Sequence, residues 1–227
     1  MIKKKLYIII PAKMTSKGIK KKNLKLINGK SLVNITISQA IKLNPQRIFV
    51  SSENKNLKKK IIKKKNIIFH LRPKKLSKSN VHAIHVVLDV IKKFDIDRNS
   101  LIAMMLPTSP LREIYKIKKN IIKFDSEKYH SLIAVTETQF NSNNVRYLDK
   151  NNNLIADDYG LQQRQEAKKV FYVNGSFYLA KCKNLLKFKN FHSSRNMMPI
   201  FSKPELSIDI NNSSDLTSAR KIFVKFN

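Results

Sequence analysis

Lysine side chains gather in the loop that follows the first apolar run of the chain. The run Leu6-Tyr7-Ile8-Ile9-Ile10 leads into Pro11-Ala12-Lys13-Met14-Thr15-Ser16-Lys17-Gly18, and Lys22-Asn23-Leu24 comes shortly after. Ammonium groups at 13, 17 and 22 would balance the charge of a polyphosphate, and free backbone N–H groups in a glycine-containing turn can cradle its oxygens. Asn23 would orient a phosphate oxygen or an attacking nucleophile. Because lysine is abundant throughout the chain, it is the place of these cations behind a buried strand that favours a phosphate site.

Three later segments carry polar groups close to predicted strands. Arg72-Pro73 follows one apolar run, and Leu106-Pro107-Thr108-Ser109-Pro110-Leu111-Arg112 ends another. A proline-rich turn accounts for the two prolines of the second segment but not for its whole string. In Ser207-Ile208-Asp209-Ile210-Asn211, the alternation of a strand would place residues 209 and 211 on one face, where oxygen ligands suit Mg²⁺.

These segments, in this order, resemble the signature of the acylneuraminate cytidylyltransferases (CMP-sialic acid synthetases). That family usually reads I-P-A-R-x-x-S-K-G-x-x-x-K-N-L at the first loop and L-Q-P-T-S-P-L-R at the later strand end, and Pro107 to Arg112 match without a break. Arg164-Gln165 matches the family's R-Q, and Asn174-Gly175 begins a match to its N-G-x-x-Y. The resemblance extends from Ile8 to about Ala219.

The resemblance implies a CTP-dependent cytidylyltransferase that activates a sialic-acid-like nonulosonic acid for surface glycan biosynthesis. Its products would be the CMP-sugar and pyrophosphate. Carried onto the matching positions, it implies nucleotide binding by Ala12, Lys13, Ser16, Lys17, Gly18, Lys22 and Arg72. It implies catalytic roles for Lys13, Lys22 and Asn23, and binding of the acidic nine-carbon sugar by Arg164 and Gln165, since an arginine suits a carboxylate. Asp209 is the predicted ligand of a Mg²⁺ cofactor.

Three positions depart from the family pattern, and they leave two functions open. Lys13 replaces an arginine and lacks its planar fork, Leu106 replaces a glutamine associated with the sugar, and Asn211 replaces an aspartate. One alternative is an active synthetase for a sugar other than ordinary N-acetylneuraminate, because Leu106 removes a polar contact. The other is a catalytically impaired, nucleotide-binding homologue. We favour the active enzyme.

The formal net charge of +31 raises nucleic-acid binding as a third class of function. Most of the basic residues are lysines, and they lie all along the chain. Nucleic-acid readers use arginine for bidentate contacts and cluster their cations on one face. We therefore predict a solvated basic surface that attracts anionic substrates, and no specific nucleic acid partner.

Apolar runs that alternate with helical patterns place these segments in a parallel α/β sheet. Predicted strands cover residues 6–11, 47–51, 67–71, 101–106, 131–136, 176–180 and 206–210; predicted helices cover residues 32–43, 57–65, 81–94, 115–124, 183–188 and 213–223. Ser214 is the predicted N-cap of the last helix. The Asn-rich stretch at about 140–171 is predicted to leave the sheet, with a turn at 151–153 between short strands.

Length, composition and resemblance together predict the setting of the chain. Residues 1–227 fit one domain, and the resemblance implies a Rossmann-like nucleotidyltransferase fold, a mostly parallel sheet flanked by helices. It also implies a homodimer in which the excursion pairs the subunits and closes the partner's site. Cys182, the only cysteine, excludes an internal disulfide and suits the cytoplasm. No apolar run approaches the roughly 20 residues of a spanning helix, so we expect no membrane partner.

Overall fold

A seven-stranded sheet forms the centre of the computed structural model, which describes residues 4–16, 18–140, 146–156, 169–192 and 196–226. Its strands are β1 (Leu6–Pro11), β4 (Arg47–Ser52), β5 (Ile67–Leu71), β6 (Leu101–Met104), β7 (Ser131–Glu137), β10 (Phe171–Lys181) and β11 (Met197–Ser202). Their order across the sheet is β11-β7-β10-β6-β1-β4-β5. Only β10 runs antiparallel to its neighbours, so the predicted mostly parallel sheet is confirmed.

Helices cover both faces of this sheet. They are α1 (Leu32–Ile41), α2 (Ala83–Lys93), α3 (Ile114–Lys123), α4 (Cys182–Phe188) and α5 (Ser213–Phe226). Ile8 and Ile10 of β1 pack into the core shared with α1 and α3, whereas Ile9 packs into the core shared with α2 and α4. A strand that is buried on both faces has a continuous apolar sequence, which is why β1 was predictable. Among the described residues, no helix has the length and apolar content needed to cross a bilayer.

Two short hairpins stand apart from the main sheet. β2 (Leu26–Ile27) pairs with β3 (Lys30–Ser31) through a turn at Asn28 and Gly29, whose φ angles are 45° and 72°. Positive φ at both turn residues is typical of the two-residue hairpin turn that an Asn-Gly pair favours. β8 (Arg146–Leu148) pairs with β9 (Leu154–Ala156). The second hairpin confirms the turn predicted at 151–153 between short strands of the excursion.

The helix predicted over residues 57–65 is wrong. A short 3-10 helix forms at Lys55–Lys59, and the chain then reaches β5 without further helix. The side-chain amide of Asn34 hydrogen-bonds the backbone of this segment. It accepts the N–H of Ile62 at 3.0 Å and donates to the carbonyl of Lys60 at 3.0 Å. Closely spaced lysines also repel one another on a helix. The amphipathic pattern correctly predicted that Leu57 is buried, but it predicted the wrong backbone conformation.

The strand predicted over residues 206–210 is also wrong. A 3-10 helix occupies Pro204–Leu206, and the following residues form an irregular turn in which the N–H of Ile210 donates to the carbonyl of Thr108 at 2.8 Å. The strand that does form, β11, was not predicted. It lies at the edge of the sheet beside β7, where Pro199 is tolerated because one side of an edge strand needs no ladder hydrogen bonds.

Candidate active site

The carboxyl ends of the parallel strands β1, β4, β5 and β6 lie side by side, and the first loop leaves the sheet there. Ala12 is fully buried and donates its N–H to the carbonyl of Ser51 at 2.8 Å, so the end of β1 is held against β4. Lys13 and Ser16 follow in the loop as predicted and are partly exposed. The predicted nucleotide-binding Lys17 and the predicted sugar-binding Arg164 and Gln165 lie outside the described residues.

Asn23 holds the first loop in place. Its side chain is only 5% exposed, and its Nδ2 donates to the carbonyl of Lys13 at 2.7 Å. Lys21, with a φ of 52°, turns the chain into the 3-10 helix Lys22–Leu24 that presents Asn23 to the loop. The structure thus brings two of the predicted catalytic residues into contact and gives Asn23 a positioning role. Its direct part in catalysis stays a prediction.

Lys22 joins the first loop to the irregular turn that contains Asp209. Its Nζ donates to the carbonyl of Ile210 at 2.6 Å and to Oδ1 of Asn211 at 3.1 Å. Gly18 touches the same turn, because a Cβ added at Gly18 would lie 2.3 Å from the carbonyl oxygen of Asn211. No side chain fits at that distance, so glycine is required there by close approach. The first loop and the Asp209 turn, two segments far apart in the sequence, are therefore in contact.

The charge of Lys22 is set by surroundings of both signs. Desolvation is the largest influence and lowers the pKa of Lys22, and the positive charge of Lys13 lowers it further. The carboxylates of Asp209 and Asp215 act in the opposite direction and raise it. Lys22, Lys13 and Asp209 are therefore close enough to interact electrostatically, as a site for a polyphosphate and a cation requires.

Asp215 fixes the shape of the Asp209 turn. Its Oδ2 accepts the N–H of Asn211 at 2.8 Å and the N–H of Asn212 at 3.0 Å, while Oδ1 of Asn212 accepts the N–H of Asp215 at 3.0 Å. The last two bonds form a capping box at the start of α5. The N-cap is therefore Asn212 and not the predicted Ser214.

The donors around Asp209 suit Mg²⁺ only in part. Asp209 is exposed, and its Oδ2 accepts Nδ2 of Asn211 at 2.9 Å. Among the described residues, no three His, Cys, Asp or Glu side chains come together as a metal cage. Mg²⁺ usually keeps several waters and is bound by one or two carboxylates together with substrate phosphates. One exposed carboxylate beside the predicted phosphate-binding loop fits that mode of binding.

Sequence reasoning missed Glu53, which pairs with the predicted nucleotide-binding Arg72. Arg72 is buried at the end of β5, and its Nη2 donates to Oε2 of Glu53 at 3.2 Å. Oε1 of Glu53 accepts the backbone N–H of Met14 at 2.8 Å. Desolvation opposes ionisation of Glu53, but bonds from the N–H groups of Glu53 and Met14 and from Arg72 hold the pKa of the carboxyl below its usual value. The sequence offered one signal for Glu53, because it is the only acidic residue before Asp89 in a strongly basic segment.

The Pro107–Arg112 motif is a structural support for the site. Nε of Arg112 donates to the carbonyl of Ser176 at 2.7 Å, its Nη1 donates to Oε1 of Gln39 at 2.8 Å, and its Nη2 donates to the carbonyl of Leu106. The arginine therefore ties the end of β6 to β10 and to α1. Leu106 packs with the core under α2, so an apolar side chain stands where the resemblance implies an amide.

Comparison with known proteins identifies the family of the chain. The sequence profile of the cytidylyltransferase family matches residues 7–220. CMP-N,N'-diacetyllegionaminic acid synthase of Legionella pneumophila is 26% identical over 220 residues, with 94% of each chain covered. Pseudaminic acid cytidylyltransferase of Campylobacter jejuni is 28% identical over 229 residues, with 96% of each chain covered. N-acylneuraminate cytidylyltransferase of Streptococcus agalactiae is 26% identical over 213 residues, and the match spans 91% of this chain but 50% of that longer protein.

Two solved structures share the fold. CMP:2-keto-3-deoxy-manno-octonic acid synthetase in complex with CTP superposes with a TM-score of 0.70 at 11% identity, over 98% of this chain and 100% of that one. The 4-diphosphocytidyl-2C-methyl-D-erythritol synthase of Anaerococcus prevotii superposes with a TM-score of 0.68 at 12% identity, over 97% of this chain and 96% of that one. These likenesses confirm the predicted Rossmann-like nucleotidyltransferase fold. With the family profile matched from residue 7 to residue 220, the chain belongs to the cytidylyltransferase family.

Proposed function

We propose that this chain transfers the cytidylyl group of CTP to the anomeric hydroxyl of a nonulosonic acid and releases pyrophosphate. The observation that carries the proposal is the junction between the lysine loop and the Asp209 turn, made by Lys22 and by the close approach of Gly18. This junction brings Lys22 against the turn that contains Asp209, which supports a triphosphate site beside a metal site. The relatives named above are synthases and cytidylyltransferases for acidic sugars of this class, which supports the choice of acceptor.

In the proposed reaction, the hydroxyl oxygen of the sugar attacks the α-phosphorus of CTP. The bond from the α-phosphorus to the oxygen bridging the β-phosphate breaks, pyrophosphate leaves, and the hydroxyl proton passes to solvent. Lys13 and Lys22 balance the negative charge of the phosphates as it shifts toward the leaving group. Asn23 keeps the carbonyl of Lys13 in place, so the cationic loop is held in one geometry before the substrate binds.

Asp209 would hold the Mg²⁺ ion. When bound, the ion would neutralise charge on the phosphates of the substrate and leaving group. Asn211 is a weaker second ligand, because its side chain is uncharged and its Oδ1 accepts a hydrogen bond from Lys22. This arrangement favours a metal ion that arrives with CTP over one held permanently by the protein alone.

We propose that Arg164 and Gln165 bind the carboxylate end of the sugar, as the resemblance implies. An arginine offers two parallel N–H donors to a carboxylate, which suits an acidic sugar better than a neutral one. The apolar Leu106 on the β6 side removes one amide contact, and the substrate is therefore a nonulosonic acid other than ordinary N-acetylneuraminate.

We also propose that the chain is a cytoplasmic homodimer that pairs through the hairpin of β8 and β9. Leu148, Leu154 and Ile155 on this hairpin are 63%, 72% and 47% exposed, and Phe171 and Tyr172 at the start of β10 add further exposed apolar area. Exposed apolar area of this kind supports an interface. Light scattering after gel filtration should give a dimer mass, and Leu154→Lys should give a monomer.

The test of function is pyrophosphate release from CTP and Mg²⁺ with N-acetylneuraminate, N,N'-diacetyllegionaminate or pseudaminate. We expect release that requires both CTP and one of the last two sugars. The loss of a carboxylate at Asn211 favours the catalytically impaired homologue as the second candidate. That candidate predicts CTP binding by calorimetry without pyrophosphate release from any of the three sugars.

A further inference from the structure

Glu53 hydrogen-bonds to several segments that lie at the carboxyl ends of the parallel strands. It follows β4 directly, and its Oε1 accepts the N–H of Met14 at 2.8 Å and that of Thr15 at 3.3 Å. Its Oε2 accepts Nη2 of Arg72 at 3.2 Å and the hydroxyl of Ser77 at 3.1 Å. One carboxylate therefore connects the backbone of the first loop, the arginine that ends β5 and the 3-10 helix Lys74–Ser77.

The Arg72 side chain is withdrawn from solvent, and among the described residues only Glu53 accepts a hydrogen bond from it. Only 3% of this side chain and 10% of the Glu53 side chain are exposed. Nη2 pairs with Glu53, whereas the buried Nε of Arg72 has no hydrogen-bond partner among the described residues. Leaving a buried N–H unpaired is unfavourable, which supports an acceptor that arrives with a ligand.

We propose that Glu53 is a positioning residue, which orients Arg72 toward the base of the nucleotide and thereby sets the preference for CTP over UTP. The inference rests on the proposed function, because it takes the pyrimidine ring as the acceptor for Arg72. A carboxylate suits this purpose because the guanidinium is planar, so a partner on one edge fixes the direction of the remaining N–H groups.

Cytosine and uracil present different groups to a fixed donor. N3 and O2 of cytosine are both acceptors, whereas N3 of uracil carries a hydrogen. A buried N–H directed at that edge therefore pairs with cytosine but meets a second donor on uracil. Polar sites of this type reject the mismatched ligand strongly, because the buried group is left unpaired. An Arg72 that moves freely can contact O2 of either base, and the preference then shrinks.

Glu53 also determines which amides of the first loop remain for phosphate. The N–H groups of Met14 and Thr15 are both engaged by its Oε1. Backbone N–H contacts to the triphosphate therefore fall to the later part of the loop, toward Gly18.

The test uses Glu53→Gln, which keeps the size of the side chain and removes its charge. We expect KM for CTP to rise about tenfold, which corresponds to about 1.4 kcal/mol, with a smaller change in kcat. The ratio of kcat/KM for CTP to that for UTP should fall by a similar factor. Glu127→Gln is the matched control and should keep the wild-type ratio. Glu127 pairs with Lys181 at 2.7 Å, and Lys181 lies beside the amino end of β6, away from the site.

Two outcomes overturn the proposal. The first is a Glu53→Gln enzyme with the wild-type KM for CTP and the wild-type nucleotide ratio. The second is a Glu53→Gln enzyme whose kcat falls equally for both nucleotides while their ratio is unchanged, because a mere loss of folded protein would give the same result. If Glu53→Gln does not fold, Ser77→Ala replaces it, since it removes only the 3.1 Å bond to Oε2 and should shift the ratio in the same direction by less.

A second measurement separates this proposal from the proposed function. Hydrogen exchange of the free protein should show that the amides of Met14 and Thr15 are protected in the wild type and exchange faster in Glu53→Gln. If the wild type neither binds nor turns over CTP, the proposed function fails while the exchange result still decides whether Glu53 anchors the loop. Equal exchange in the two proteins overturns that anchor.

Discussion

Replacing Gly18 by alanine should separate the two halves of the candidate site. The added Cβ would stand 2.3 Å from the carbonyl oxygen of Asn211, and ordinary contact begins at 3.4 Å, so the segments must part by roughly 1 Å. The obstacle is backbone, which cannot swing aside like the end of a side chain. A shift of that size would stretch the 2.6 Å bond from Lys22 to the carbonyl of Ile210 beyond hydrogen-bonding distance.

The expected loss of activity follows from this displacement. A misplacement of about 1 Å near reacting groups costs roughly 100-fold in rate. Overpacking of this kind costs about 1–3 kcal/mol of stability, and each kcal/mol lowers Tm by about 2–4 °C for a chain of this size. The assay is pyrophosphate release at saturating sugar over a range of CTP concentrations, together with a thermal melt of each variant.

Gly29→Ala is the matched control for Gly18→Ala. No atom lies within 4 Å of a Cβ at Gly29, but its φ of 72° strains any other residue by about 1–2 kcal/mol. Both variants should therefore melt lower, while only Gly18→Ala should lose activity. A Gly18→Ala enzyme with kcat/KM equal to that of Gly29→Ala would refute the close approach on which the site is built.

Charge changes at the same edge give three further predictions. Lys22→Ala should lower turnover roughly 100-fold in the pyrophosphate assay, because it removes the cation that we propose to balance the phosphates. The exposed Lys20→Ala should not, and equal rates would contradict the role of Lys22. Asn211→Asp should lower the Mg²⁺ concentration for half-maximal activity by adding a carboxylate beside Asp209, and an unchanged Mg²⁺ titration would contradict the metal assignment. Because the pKa of Glu53 is held below 4.5, its ionised carboxylate stabilises the folded protein above that pH, and this stabilisation is lost as pH falls through the lowered pKa. Acid-unfolding curves should show this loss in the wild type and not in Glu53→Gln.

Most of the sheet could be predicted from sequence because its central strands are buried on both faces. Such strands appear as continuous apolar runs, as β1 does, and parallel topology then brings the loops at their carboxyl ends together. Edge strands give a weaker signal. β11 contains Pro199 and exposes Met197 and Phe201 at 40% and 53%, so its sequence lacks the pattern of a buried strand.

The contacts that assemble the site could not be predicted, because they join distant residues. The bond from Lys22 to Ile210 spans 188 positions, and nothing in the local pattern of either segment specifies the other. The same holds for the helix expected over residues 57–65. Its amphipathic pattern was present, but the distant Asn34 captured the backbone of residues 60 and 62. Side chains that bind backbone from afar are invisible to periodicity.

Diffraction from crystals grown with CTP and Mn²⁺ would locate both ligands and so test whether the lysine loop and the Asp209 turn form one cytidylyl-transfer site. Mn²⁺ replaces Mg²⁺ because its anomalous signal locates it. We expect the metal peak beside Asp209, the triphosphate within hydrogen-bonding distance of Nζ of Lys22, and the cytosine ring at Arg72. CTP bound elsewhere on the protein, or a triphosphate out of reach of both Lys22 and the metal, would contradict this account.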